Sequence, residues 1–169
     1  MTGRLYGKPS REQLDELDSL LVELRRINQH LLGDGKVIPL GGIKPLDPDK
    51  NGRLWEYIRH YCRMVVMWPN HLKAVKAICG KDDRMDSDEA VEEVVSDMSI
   101  HVYRYAWRRY RHCDDAGGYI VGTAKFGFKE WLAKQNARIE LGNDIRDAFK
   151  RWWSSNHTHK TSRCDVDGS

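Results

Sequence analysis

Residues 87–111, SDEAVEEVVSDMSIHVYRYAWRRYR, decide the fold. Val91, Val94, Val95, Met98, Val102, Tyr105 and Ala106 recur at helical spacings, which predicts a helix with one side against a core. The charges agree. Asp86, Asp88, Glu89, Glu92, Glu93 and Asp97 crowd the start, with no basic residue from 85 to 97, while Arg104, Arg108, Arg109 and Arg111 crowd the end. That polarity suits the helix dipole. Ser87 stands where an N-cap belongs, and Asp114-Asp115-Ala116-Gly117-Gly118 predicts a tight break.

Working upstream, residues 53–67 read as a helix with Leu54, Tyr57, Ile58, Tyr61 and Val65 on one side, joined by Trp68 just beyond. Pro69 breaks it, and a short helix through Leu72, Val75 and Ile78 stops at Gly80. Before these lies a run with three prolines and three glycines, KVIPLGGIKPLDPDKNG at 36–52, which reads as a linker or loop and a boundary. The first helix is marked by a capping box, Ser10 with Gln13 after Pro9. Leu14, Leu17, Leu21, Leu24 and Leu31 follow at heptad spacing, with Asn28 in the remaining seam position and Leu20 and Ile27 widening the stripe. Gly33-Asp34-Gly35 ends it. Such a stripe serves either a helix docked on its own core or a contact with a partner or second copy, with Asn28 setting register.

Downstream, residues 119–136 read as a helix mixing Phe126, Phe128 and Trp131 with Lys125, Lys129 and Lys134. A last helix over 139–153 turns Leu141, Ile145, Ala148, Phe149 and Trp152 inward, and a polar tail from Ser154 frays. The expected fold class is all-α: a compact multi-helix domain with an N-terminal helix (1–35), a Pro/Gly-rich loop (36–52), a helical core (53–153) and a flexible tail (154–169).

The 169 residues suffice for one core, and 40% hydrophobic with 31% charged residues is a globular balance rather than a disordered one. A net charge of +3 permits contact with nucleic acid without requiring it. The longest apolar run, Met64-Val65-Val66-Met67-Trp68, is far short of a membrane span, and the first residues lack an apolar signal region. The expectation is a cytoplasmic protein without membrane contact, with Cys62, Cys79, Cys113 and Cys164 as thiols rather than disulfides.

Catalytic and metal chemistry find little to stand on. His157-Thr158-His159 with Cys164 lacks a matching second pair of ligands, and His60 with Cys62 or His112 with Cys113 read as packing or surface groups. Asp82-Asp83 and Asp114-Asp115 suit turns. No glycine-rich phosphate loop or nucleophile elbow is present, so the reading is a binding protein, not an enzyme, with no cofactor and no metal.

One constellation carries weight. Residues 101–134 hold seven Lys or Arg against three Asp or Glu, interleaved with Tyr103, Tyr105, Trp107, Tyr110, Tyr119, Phe126, Phe128 and Trp131. Cations beside exposed rings suit single-stranded or melted nucleic acid, phosphates meeting the charges and unpaired bases stacking on the rings. The bland alternative is a core aromatic stripe beside a solvated basic face, and periodicity alone favours it.

Residues 96–134, SDMSIHVYRYAWRRYRHCDDAGGYIVGTAKFGFKEWLAK, also resemble region 2 of bacterial sigma factors, in particular the short late-gene sigma factors of phages. Asp97-Met98 stands where that family has Asp-Leu, Cys113 to Gly118 where it has a Phe-Asp-Pro turn ending in Gly, and Tyr119 to Lys134 where the promoter-melting helix lies. Ile100-His101 replaces the usual Gln-Glu, and Gly127-Phe128 with Trp131 only partly replaces adjacent tryptophans. After residue 136 there is no room for a promoter-recognition helix-turn-helix domain, as in the truncated phage type. The resemblance implies a sigma-like transcription factor whose partners are RNA polymerase core and promoter DNA. Asp97, Met98, His101, Arg104 and Arg108 would meet the polymerase; Tyr119, Lys125, Phe126, Phe128, Lys129, Trp131 and Lys134 would meet melted DNA. The alternative is a helical protein-interaction module, a phage adaptor or inhibitor acting through the stripe at 14–31. Oligomeric state is left open.

Overall fold

The computed structural model describes residues 7–34, 38–81 and 86–167, with backbone alone for residues 34 and 157–167. Among the described residues there are five α-helices and no strand, so the chain is all-α: α1 (Arg11–Asn28), α2 (Pro48–Val66), α3 (Pro69–Lys81), α4 (Ser87–Arg109) and α5 (Ala116–Asp167). It divides into two compact units, Met1–Leu132 and Ala133–Ser169. None of the described helices is long and apolar enough to cross a membrane.

In the first unit α4 is the spine, with α1, α2 and α3 all packed on it. Its buried residues include Val94, Val95, Met98, Val102, Tyr103, Ala106 and Trp107, so the inward arc is wider than the sequence stripe and Tyr105 faces out instead. Asp86, not Ser87, occupies the N-cap position, and its side chain makes no capping bond. The acidic first turn faces the helix's positive end and needs no such bond to be favourable.

The capping box on α1 forms as the sequence predicts. The Gln13 amide donates to Ser10 Oγ at 3.2 Å, and the Ser10 amide donates to Gln13 Oε1 at 3.0 Å. Leu17, Leu21 and Leu24 are fully buried against the same unit, so the stripe serves the protein's own core. Asn28 does not set register with a partner. Its Nδ2 donates to the carbonyls of Leu24 and Lys44, both at 2.9 Å, and its Oδ1 accepts from the Lys44 amide at 2.7 Å. A buried amide with three bonds clips the proline-rich segment to α1, and that segment in turn buries Ile43 and Leu46. Residues 48–52 are not loop but the first turn of α2, where Pro48 needs no amide partner.

Pro69 separates α2 from α3, as expected. The break before α5 is shorter than the sequence suggested: Ala116, Gly117 and Gly118 already lie in its first turn. Gly117 is required there because a Cβ would come within 2.8 Å of Tyr61 Cζ, so the glycine lets α5 approach α2. The Gly118 amide donates to Asp115 Oδ1 at 2.8 Å, which gives α5 its N-cap.

The second unit is the rest of α5. No break separates residues 119–136 from 139–153, and the backbone is helical through Ser154 to Asp167. The inward turn expected for Leu141, Ile145, Ala148, Phe149 and Trp152 is not found: all are exposed, Leu141 and Ile145 by 60% and 62%.

Candidate nucleic-acid and polymerase interface

Two helices carry the candidate residues, and the loop between them is pinned to α1. Asp18 is the pin. Tyr110 Oη, His112 Nδ1 and the Cys113 amide all meet its carboxylate, the last two at 2.6 and 3.3 Å. Arg25 donates to the Tyr110 carbonyl at 3.1 Å and Arg11 to that of Asp114 at 3.0 Å. Burial works to raise the Asp18 pKa, but the donors from Tyr110, His112 and Cys113 outweigh it and hold it below the usual carboxylate range. His112, bonded to Asp18, is raised. Tyr110 is pushed up by burial and by Asp18, so its hydroxyl stays a donor.

Beyond the pinned loop, α5 divides its aromatic residues between inside and outside. Ile120, Ala124, Phe128 and Trp131 recur at intervals of four, four and three and are buried. Phe128 is 2% and Trp131 1% exposed, and Phe128 stacks on His71 with ring centroids 4.2 Å apart. Neither ring offers a face to a base, which corrects the sequence assignment. The indole Nε1 of Trp131 has no hydrogen-bond partner among the described residues, a cost of about 1–3 kcal/mol, so burial of the large ring outweighs it. Gly127 admits this packing, since a Cβ would sit 3.3 Å from the His101 ring.

The residues between these positions point the other way. Phe126 is 67% exposed, and Lys125 and Lys129 flank it on the surface. Lys129 Nζ lies 5.8 Å from the centre of the Phe126 ring. Lys125 Nζ lies 5.1 Å from that of Trp68, which is half-buried. Trp68 was expected on the inner side of its helix; its place beside Lys125 left no trace in local sequence, because the two meet only through folding. Tyr119 is half-buried, edge-on to Tyr110 at 4.9 Å. Lys134 is exposed and belongs to the second unit.

On α4 the expected polymerase face is reduced. Met98 is fully buried and is a core residue, which corrects its assignment as a contact. His101 is largely enclosed, with Nδ1 3.3 Å from Glu130 and its ring 4.5 Å from Tyr105. Arg104 donates to the Ile38 carbonyl at 3.2 Å, and Arg108 lies 5.5 Å over Trp107. Asp97 stands exposed. Arg109, noted in the sequence only for the charge polarity of its helix and not as a contact residue, lies 5.3 Å over the exposed Tyr105 and adds a second cation and ring.

Among the described residues no group of three or more His, Cys, Asp or Glu is placed to hold a metal ion. The side chains of His157, His159 and Cys164, and the pair Asp82-Asp83, lie outside the described residues. Cys62 is buried and its thiol is pushed up to about 12 by that burial, the opposite of an activated nucleophile. No protein-family model, curated protein or solved structure matches the chain.

Proposed function

We propose that the chain is a sigma-like transcription factor of the phage type. It binds bacterial RNA polymerase core through the outer face of α4 and melted promoter DNA through the start of α5, acts in the host cytoplasm, and catalyses nothing itself. The observation that carries the reading is Phe126, a ring standing out of the surface between Lys125 and Lys129 on the helix after the Asp-rich turn. An exposed ring costs an apolar surface in water and repays it by stacking on an unpaired base, while flanking cations neutralise the phosphates. With Phe128 and Trp131 withdrawn into the core and Tyr119 half-buried, Phe126 is the most exposed ring on residues 119–134, and Trp68 with Lys125 forms its edge. The polymerase contact narrows to Asp97 with Arg104 and Arg108.

The test is co-elution of the purified full chain with bacterial core polymerase at moderate salt. The wild type is expected to co-elute and Asp97→Lys to do so weakly. A chain that ignores core polymerase but holds single strands of any sequence, with affinity falling steeply in salt, is a general single-strand binder instead.

A further inference from the structure

We propose that the second unit is a self-association helix: α5 beyond residue 137 pairs antiparallel with the same segment of a second copy of this chain. Leu141, Ile145, Phe149 and Trp152 are each more than half exposed, at 60%, 62%, 57% and 57%. A contiguous apolar stripe of this kind is rare on a monomer surface and marks an interface.

The register of the charges selects the occupant. Leu141, Ile145, Ala148 and Trp152 follow the four-three-four spacing of a heptad seam. In an antiparallel pair about a twofold axis, seam residue Leu141 meets Trp152 of the other copy and Ile145 meets Ala148, each contact made twice. The positions flanking the seam then fall opposite one another in complementary pairs. On one side Asp144 faces Arg151; on the other Gly142 faces Phe149, with no atom near the Gly142 Cβ position to fill the space the ring would take. A parallel pair would instead set Asp144 beside Phe149 and leave its charge without a counterpart. The segment is thus complementary to itself in one orientation, which favours a second copy of this chain over an unrelated partner.

Sedimentation equilibrium of the full chain across the micromolar range tests this. The expected mass approaches twice the 19.7 kDa of one chain. Ile145→Asp is expected to return it to one chain while leaving the melting of the first unit unchanged. Asp144→Arg alone and Arg151→Asp alone place like charges together twice per dimer and should weaken association about five- to tenfold. The two together exchange the charges and should restore it. A wild type that stays monomeric, a dimer that survives Ile145→Asp, or a double exchange that fails to restore association overturns the proposal.

Discussion

α1 and the part of α5 beyond residue 132 carry the same kind of apolar stripe and meet opposite fates. In α1, Leu17, Leu21 and Leu24 are fully buried, whereas Leu141, Ile145, Phe149 and Trp152 are more than half exposed. The stripes differ little; what surrounds them differs a great deal. After α1 the chain turns through Gln29–Asp34, and Asn28 fastens the returning segment by hydrogen bonds to Lys44, so partners arrive from the same chain. Between residues 132 and 167 no proline interrupts α5, its one glycine there, Gly142, stays helical, and the helix runs on to Asp167. Hydrophobic period states that a face needs covering. Only the breaks in the chain state whether the cover comes from the same molecule.

The first way to sharpen the comparison lies inside α5 itself. Trp131→Ala should cost about 3–5 kcal/mol in urea unfolding, because it empties a core site, while Phe126→Ala should stay within about 0.5 kcal/mol of wild type. Equal losses would mean that the inside and outside of this helix have been assigned wrongly. The stripes come next: Leu21→Ala should cost about 2–5 kcal/mol in the stability of the first unit, and Leu141→Ala close to nothing there. Asn28→Ala should cost about 1–3 kcal/mol, since the Lys44 amide and carbonyl lose their buried partner. A neutral Asn28→Ala would return the proline-rich segment to the status of a loose linker.

The smallest effect is the pH dependence of the Asp18–His112 pin. Asp18 has a lowered pKa, so its contribution is present above the unfolded value and lost as pH falls through the folded one. His112 has a raised pKa, so its contribution is complete below its unfolded value of about 6.5 and lost as pH rises through the folded one. The pin is therefore strongest between about pH 4 and 6.5. The melting temperature of wild type minus that of His112→Ala should be largest in that window and shrink on the alkaline side. A difference independent of pH would mean that the charge on His112 contributes nothing.

The parts of this fold written in local chemistry were readable from sequence: the Ser10–Gln13 box, the break at Pro69, and α4 with its charge polarity. What could not be read depends on residues distant in the chain. The clip between Asn28 and Lys44 is one case, and the burial of Ile43 and Leu46 inside a segment rich in proline and glycine is another. The candidate site shows the same division. Interleaved rings and cations on 119–134 suit a nucleic-acid face, yet the four-four-three spacing of Ile120, Ala124, Phe128 and Trp131 decides which rings turn inward. That period is present in the sequence, but knowing that α5 lies against His71 and His101 requires the fold. Lys125 over Trp68 had no sequence signal at all.

The DNA contact proposed for α5 converges on Phe126 and its two lysines. The most direct measurement is the affinity of the full chain, with core polymerase present, for promoter DNA carrying a pre-melted bubble, compared with Phe126→Ala. The account predicts that wild type prefers the bubble over intact duplex and that the variant loses about 1–3 kcal/mol of that preference while still binding core polymerase. A chain that does not bind core polymerase, or a variant that holds the bubble as tightly as wild type, would contradict it.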